Sequence, residues 1–274
     1  MLLLEDAVGL DGLRLSPAGL IPQRDCQDRI FIDYTWSGVN EATRRLAPDS
    51  MQFGHALQRI LHCMYDADPC HGPIYMMKVD ISDGFCCMGL APEEVPCLGV
   101  CLPPVPDGKT LVAFPLFLPM GWVESPPQFC AVTEIVADLA NTALKEQTPR
   151  LCTPHRLDQV SESTVPGLDI PVTGHLEINH NRVVDSKGAL AYIDIFVDCF
   201  LGITQGNKDR WEELKRAMLH SLDDVLRPLL PKDLPTCQDP ASLKKMKQGD
   251  STCSTQKIML GWVIDSVRGT IHLP

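Results

Sequence analysis

The sequence has no long apolar run and no basic leader, and these absences exclude two classes of protein. The most apolar stretch, residues 111–119, is shorter than the roughly 20 residues of a membrane helix and contains two prolines. Near the start, three leucines from Leu2 lead directly to Glu5 and Asp6, which is unlike a secretory signal. We therefore expect an intracellular protein of the cytoplasm or nucleus, not secreted and without a membrane partner.

Positive charge is scarce. The chain has 24 Lys and Arg against 35 Asp and Glu, which gives a net charge of −11. A protein that grips a nucleic-acid duplex usually carries a basic stripe that displaces counterions. The densest basic cluster here is Lys244-Lys245-x-Lys247. The charge balance argues against a large nucleic-acid footprint.

Zinc-binding patterns are also missing, although the chain has 12 cysteines. Spacings such as Cys97-x3-Cys101 do not supply the two close ligand pairs of a structural zinc site. In an intracellular setting thiols stay reduced. We expect mostly buried, reduced cysteines and no disulfide-linked partner.

With 274 residues and 45% apolar content, the chain can bury the core of one large or two modest domains. Apolar spacing predicts a helix after Ser50, a second helix capped by Ser125, and a third over residues 211–226. Alternating or continuous apolar runs predict strands over residues 29–34, 74–79 and 258–264.

Two apolar segments each deliver an aspartate to the predicted end of a strand. The first, Met77–Phe85, contains Asp80, and the second, Ala191–Gly202, contains Asp198. Two carboxylates that folding brings together can hold divalent metal for phosphoryl transfer. For either segment alone, the alternative is an aspartate that ends a strand and caps a turn.

Five short motifs occur in a fixed order along the chain. They are Arg29-x3-Asp33-Tyr34 with Asn40 following, Asp80-x4-Phe85, Leu118-Pro119-x-Gly121-Trp122-x2-Ser125-Pro126, Phe196-Val197-Asp198-Cys199-Phe200, and Leu260-Gly261-Trp262. This series resembles the reverse transcriptase domain of retroelements, particularly of long-terminal-repeat retrotransposons. Any one motif occurs by chance, so the resemblance depends on their order over residues 20–274.

The resemblance implies an α+β fold of the polymerase right-hand type, with fingers and a palm whose antiparallel sheet is backed by helices. It assigns residues 1–72 to a fingers-like segment with an N-terminal extension and residues 73–250 to the palm. An insertion is expected at about residues 146–189, and residues 251–274 correspond to a primer-grip-like hairpin. Thumb, RNase H and integrase are expected to be absent, as in a truncated, degenerate copy.

The resemblance also implies a chemistry. Asp80 and Asp198 would be the catalytic carboxylates, and the Ile81 carbonyl would be a further metal ligand. Two Mg²⁺ or Mn²⁺ ions would activate a primer 3′-hydroxyl and neutralise the pyrophosphate that leaves a dNTP, on an RNA or DNA template. Lys245, or its neighbour Lys244, is a candidate general acid, with a solvated lysine cluster as the alternative.

The resemblance further implies that six residues would hold the incoming nucleotide: Arg29, Asp83, Gly84, Phe85, Met120 and Gly121. A planar guanidinium such as that of Arg29 suits phosphate oxygens. Phe85 would exclude a 2′-hydroxyl, and its alternative is a core aromatic ring beside a strand. The triplet Leu260, Gly261 and Trp262 resembles the primer grip.

The chain departs from the family pattern at Cys199, where relatives carry a second aspartate, and at Phe196, where they usually carry tyrosine. Mg²⁺ prefers oxygen ligands, and a thiol is largely protonated at neutral pH. Asp194 is no substitute, because four residues along a strand extend about 13 Å. These departures predict weak or absent polymerase activity.

Three functions therefore remain open at the level of sequence. The first is a reverse transcriptase domain whose nucleotidyl transfer is impaired. The second is a catalytically inactive palm that persists as a relic or a binding module. The third is an unrelated metal-dependent nucleotidyltransferase or cyclase, against which the Leu-Pro-x-Gly and Leu-Gly-Trp motifs argue.

Overall fold

The computed structural model describes residues 1–22, 29–43, 53–104, 106–160, 176–177, 188–234 and 237–274. In this part of the chain the protein is mixed α/β, with three sheets and six α-helices. It divides into two units, Met1–Met51 with Asp83–Phe129, and Gln52–Ser82 with Cys130–Pro274. None of the helices described combines the length and apolar character that crossing a bilayer requires.

The first unit is built on one sheet. Its strands are β1 (Leu2–Leu3), β2 (Leu15–Ile21), β3 (Arg29–Ile32), β5 (Gly99–Cys101) and β6 (Leu111–Ala113). They lie in the order β1-β6-β5-β2-β3, with only the β2–β5 pair parallel. Two single-turn helices, α1 (Leu4–Ala7) and α2 (Val39–Ala42), accompany the sheet.

Two polar side chains fix the loops of the first unit. Tyr34 is fully buried, and its hydroxyl donates to the Leu98 carbonyl over 3.1 Å. The amide of Asn40 donates to the Gly121 carbonyl (3.1 Å) and accepts from the Val123 backbone N–H (3.0 Å). Both residues belong to the first motif of the resemblance, and both act here by tying distant loops together.

The second unit contains two antiparallel sheets. Its strands are β4 (Ile74–Asp80), β7 (Leu176–Glu177), β8 (Ala191–Phe196), β9 (Cys199–Gln205), β10 (Gln256–Met259), β11 (Trp262–Asp265) and β12 (Thr270–His272). The three-stranded sheet has the order β4-β9-β8, and the four-stranded sheet has the order β10-β11-β12-β7.

Four further helices are α3 (Ala56–Tyr65), α4 (Ser125–Glu146), α5 (Lys208–Leu226) and α6 (Leu243–Lys247). Helix α4 begins in the first unit, and its residues from Cys130 onward belong to the second. The first unit thus combines residues 83–129 with the amino-terminal residues.

Strand β9 is the centre of the second unit and is buried on both faces. On one face a Cβ at Gly202 would lie 2.1 Å from Met218 Cε, so α5 packs directly on the strand backbone. On the other face Leu201 and Ile203 join an apolar cluster that includes Ile60 of α3. Complete burial of each such side chain stabilises the fold by roughly 1.5–3 kcal/mol. This core fixes the neighbouring end of β4.

The strand predicted over residues 258–264 is wrong as a single element. Leu260 and Gly261 both have positive φ, 50° and 82°, and form a two-residue turn between β10 and β11. Positive φ at both central positions matches the twist of a tight hairpin. The apolar run is thus folded back on itself.

Helix starts also differ from expectation. The helix expected after Ser50 begins at Ala56, preceded by a 3-10 turn at Phe53–His55, and Ser50 lies outside the described residues. Ser125 is not a cap: its hydroxyl donates to the Pro119 carbonyl (2.7 Å) rather than accepting from the helix backbone.

Part of the expected insertion packs closely. A 3-10 helix at Pro149–Cys152 lies against α5, and Leu151 and Leu157 are buried. Arg156 donates to Asp223 of α5 over 2.7 Å. Most of the remaining residues up to 189 lie outside the described part.

Candidate active site at the end of the three-stranded sheet

Asp80, Cys199 and Phe196 form one row across the three-stranded sheet. Cys199 pairs with Asp80 on one side and with Phe196 on the other. Directly paired residues of antiparallel strands point to the same face, with Cβ atoms about 5 Å apart. The thiol that replaces the expected second aspartate therefore stands beside the strand-end carboxylate.

Asp198 lies in the turn that joins β8 to β9. Val197, the other turn residue, has φ 56°, a left-handed conformation that is strained for a β-branched side chain. The Val197 carbonyl accepts from the Thr133 hydroxyl (3.0 Å), and the Asp198 carbonyl accepts from the Ile81 N–H (2.8 Å). These bonds tie the turn to α4 and to the end of β4, while the Asp198 side chain remains exposed.

Lys245 reaches this strand end from α6. Its Nζ lies 2.7 Å from Oδ1 of Asp80, whose side chain is 5% exposed, whereas that of Lys245 is 47% exposed. Asp80 Oδ2 is buried and has no hydrogen-bond partner in the described part of the chain. The helix is held in place because the Ser242 N–H donates to the Asp80 carbonyl (2.8 Å).

The charges at this site favour a neutral thiol and a charged ammonium. Burial, and then the negative charge of Asp80, raise the pKa of Cys199 against the opposing charge of Lys78. Partial burial lowers the pKa of Lys245, but the hydrogen bond to Asp80 and the charges of Asp80 and Asp198 outweigh it, so this pKa is raised. Asp80, Asp198, Cys199 and Lys245 are thus within electrostatic reach of one another.

The residues present do not fit a pair of Mg²⁺ or Mn²⁺ ions. The unpartnered Asp80 Oδ2 suits a cation, but a protonated Cys199 thiol does not suit a hard ion. Oδ1 of Asp80 already accepts a hydrogen bond from Lys245 Nζ. Among the residues that the structure describes, no group of three or more His, Cys, Asp or Glu side chains could hold a metal ion.

Asp194 is used in other hydrogen bonds and does not replace the missing metal ligand, as its distance along the strand predicts. Arg59 donates to both of its oxygens, Nε over 2.7 Å and the terminal nitrogen over 2.6 Å. The Tyr192 hydroxyl and the Ile195 N–H donate to it as well, each over 2.8 Å. The carboxylate has no free capacity for a metal.

Three candidate nucleotide-binding residues lie together in the first unit. Asp83 is exposed with φ 43° and precedes a 3-10 turn at Gly84–Cys87. A Cβ at Gly84 would lie 2.5 Å from the Phe129 ring. Phe85 is half-buried and packs edge-to-face on the same ring, with centroids 5.1 Å apart. This packing accounts for Phe85 without a nucleotide and leaves part of its ring accessible.

The other three are distributed over a loop and a strand of the same unit. Met120 is 41% exposed, and Gly121 has φ 100°, where a Cβ would lie 2.4 Å from the Ile32 carbonyl oxygen. Only glycine fits this position. Arg29 is paired with Ile21 in β3, but its side chain lies outside the described part.

The triplet that the resemblance assigns to a primer grip occupies the β10–β11 hairpin of the second unit. Leu260 and Gly261 form the turn, and Trp262 opens β11. Leu260 and Trp262 are partly buried against the apolar cluster of this unit. The three residues form the tip of the hairpin.

Two residues of the site were not anticipated as such. Lys78 pairs with Asp250 (3.2 Å), and its charge counters the effect of Asp80 on Cys199. A lysine inside an otherwise apolar strand was the signal available for it. Thr133, which holds the turn at Val197, carries no such signal because threonine is unremarkable within a helix.

Solved structures are similar to this chain, whereas two other comparisons found no match. No protein-family model matches the chain, and no curated protein matches it. A solved structure of the foamy viral protease-reverse transcriptase in complex with an RNA/DNA hybrid is similar at a TM-score of 0.51 and 15% identity, over 94% of this chain and 23% of that chain. The double-stranded DNA complex of the same protein has a TM-score of 0.47 and 17% identity, over 94% of this chain and 36% of that chain.

This chain therefore spans well under half the length of the foamy viral proteins. The similarity at a TM-score of 0.51 shows a reverse-transcriptase-like fold, in agreement with the expectation from the motifs. The mixed α/β architecture, with antiparallel sheets and helices, is consistent with it.

Proposed function

We propose that this chain is a reverse transcriptase domain of retroelement origin, of the long-terminal-repeat type, in which nucleotidyl transfer is impaired. Residues 1–72 would serve as fingers, residues 73–250 as palm and residues 251–274 as a primer-grip-like hairpin. The substrates would be dNTP and an RNA or DNA template-primer, in an intracellular setting. The foamy viral structures, solved with an RNA/DNA hybrid and with double-stranded DNA, support a nucleic-acid partner.

The pairing of Asp80 with Cys199 carries this proposal. Asp80 ends strand β4, and Asp198, whose carbonyl accepts from the Ile81 N–H, stands in the turn between β8 and β9. Cys199 supplies a protonated thiol where a third carboxylate is needed. Loss of one oxygen ligand from a phosphoryl-transfer site removes affinity for hard ions and the nucleophile activation that they provide.

A catalytically inactive palm that acts as a binding module is the second candidate. The ion pair between Lys245 and Asp80 favours it, because a protein cation then satisfies the carboxylate. The net charge of −11 also disfavours tight binding of a template-primer. Restoring the missing acid separates the two candidates.

The experiment is primer extension on an RNA template with dNTP and Mg²⁺ or Mn²⁺. We expect Cys199→Asp to raise synthesis at least about tenfold over the parent chain, because an oxygen ligand replaces a thiol. Cys152→Asp is the matched control, since Cys152 is exposed and lies outside the site; it should leave synthesis unchanged. Adding Asp80→Asn to Cys199→Asp should remove the gain.

Undetectable synthesis in both the parent chain and Cys199→Asp would contradict impaired polymerase activity and favour the inactive palm. A gain that persists without Asp80 would show that the synthesis does not come from this site. Calorimetry of the parent chain with Mg²⁺ and a dNTP addresses the second candidate, because tight metal-dependent uptake would count against an inactive module.

A further inference from the structure

We infer that the ammonium of Lys245 is the built-in counter-cation of Asp80 and competes with divalent metal for this carboxylate at the end of β4. The inference rests on the proposed function, because it concerns the same strand end. It adds a second, independent obstacle to metal binding beside Cys199. It also makes a claim about stability that needs no catalysis to be tested.

The first step is that Asp80 requires a cation. Its side chain is 5% exposed, and a buried carboxylate is costly unless it is paired. Lys245 Nζ provides a charged hydrogen bond to Oδ1 at 2.7 Å. The other oxygen, Oδ2, has no partner in the described residues. Unlike a saturated structural carboxylate, Asp80 thus depends chiefly on one side chain.

The second step is that the backbone places Lys245. The Ser242 N–H donates to the Asp80 carbonyl, and Ala241 forms a β-bridge with Ile81. Helix α6 starts directly after these contacts, and Met246 is 1% exposed, which anchors the helix next to Lys245. The lysine therefore projects from a fixed point at the strand end.

The third step is competition. A divalent ion bound to the Asp80 carboxylate would stand within a few ångströms of the ammonium, where two positive charges repel strongly. Lys245 and the ion cannot both be close to Asp80 at full charge. Removal of the ammonium should destabilise the chain in the absence of metal and at the same time open Asp80 to a divalent cation.

The test compares Lys245→Met with Lys244→Met, its exposed neighbour on α6. We expect Lys245→Met to lower the Tm by about 5 °C in metal-free buffer. Mn²⁺ alone should then raise the Tm of this variant but not that of the parent chain, because a ligand of the folded state stabilises it. Electron paramagnetic resonance of free Mn²⁺ should show at least about tenfold tighter binding by Lys245→Met.

The double variant Asp80→Asn with Lys245→Met should recover the Tm that Lys245→Met loses in metal-free buffer. Mn²⁺ should not change the Tm of the double variant. If Lys245→Met does not fold, Lys245→Gln keeps a hydrogen bond without the charge and should show the same gain in Mn²⁺ binding. Equal Mn²⁺ binding by the parent chain, the Lys245 variants and Lys244→Met would overturn the inference.

The two proposals fail separately. If Cys199→Asp gains synthesis but neither Lys245→Met nor Lys245→Gln gains Mn²⁺ binding, the role of Lys245 as counter-cation is contradicted and the impaired polymerase is supported. If the Lys245 variants gain Mn²⁺ binding but Cys199→Asp gains no synthesis, the role of Lys245 is supported and the impaired polymerase is contradicted.

Discussion

Asp80 and Asp194 are two buried aspartates of the same sheet with different surroundings. They are 4% and 3% exposed, and they lie on the same face, in neighbouring rows of the strand register. Asp194 receives four hydrogen bonds, two of them from Arg59. Asp80 receives one from half-exposed Lys245, lies beside the Cys199 thiol, and keeps one buried oxygen without a geometric hydrogen-bond partner among the described residues.

The difference separates a structural carboxylate from one available for binding. A buried carboxylate whose oxygens are all satisfied contributes to the fold and has nothing left for a ligand. A buried carboxylate with an open oxygen is maintained at some cost, which is common at functional sites. Burial alone does not distinguish Asp80 from Asp194, whereas the number of hydrogen-bond donors to each carboxylate does.

The largest effect is expected for Asp194→Asn. Loss of the charge breaks the paired hydrogen bonds from Arg59 and leaves a guanidinium without its partner. Buried pairs broken on one side cost about 3–5 kcal/mol, but Arg59 is 31% exposed, so we expect about 2 kcal/mol. Urea unfolding measures this loss. Asp138 is an exposed residue of α4 that lines the same surface cavity as Arg59 and Asp194, and Asp138→Asn should change stability by less than about 0.5 kcal/mol.

A smaller effect is expected for Asp80→Asn. Its single ion pair is with a half-exposed lysine, and the substitution also removes the cost of burying a charge. We expect the free energy of unfolding to change by less than about 1 kcal/mol in metal-free buffer. A loss as large as that of Asp194→Asn would mean that Asp80 is also a structural carboxylate, and the contrast between the two would disappear.

Sequence periodicity was sufficient for the main helices and for strand β4. The predicted helix over residues 211–226 is confirmed as part of α5, where Leu214, Met218 and Leu222 are buried. The strand predicted over residues 74–79 is confirmed as β4, one residue longer. Apolar side chains recur there at the period of the element, because each element packs against the core on a defined side.

The buried face of α4 was less predictable. The spacing of apolar residues in this helix predicts that Leu139 shares a buried face with Phe129 and Val136. Leu139 is nevertheless 44% exposed, whereas Thr133 is fully buried. Thr133 is tolerated inside because its hydroxyl donates to the Val197 carbonyl. A residue that forms a hydrogen bond to a distant loop does not follow a hydrophobic period. The pattern therefore placed the helix, Phe129 and Val136 correctly, but it misplaced Leu139 and missed Thr133.

The partners of the two aspartates lay beyond sequence reasoning. Lys245 is 165 residues from Asp80, and Arg59 is 135 residues from Asp194. The motif order indicated that Asp80 and Asp198 belong to one site, but the positions of these cations follow from helix packing and strand register. The sequence resemblance offered Lys245 as one of two lysines, and the 2.7 Å contact of Lys245 with Asp80 selects between them.

The smallest effect concerns the reactivity of Cys199, which reports the charge of Asp80. A thiol whose folded pKa is raised contributes stability below its unfolded pKa and loses that contribution as pH rises through the folded pKa. In the native chain, Cys199 should therefore stay protonated above the usual thiol pKa of about 8.5. Because the thiolate is the nucleophile, iodoacetamide should label Cys199 more slowly than exposed Cys152.

Asp80→Asn should then speed the labelling of Cys199 by only roughly threefold, because burial is the larger cause of the raised pKa and remains in place. Mass spectrometry of digested protein, sampled over time at about pH 8.5, gives both rates in one experiment. Cys152 should label equally in both chains and serves as the internal control. If Cys199 labels as fast as Cys152 in the native chain, the thiol is not held neutral beside Asp80, and a thiolate ligand at this strand end would have to be considered.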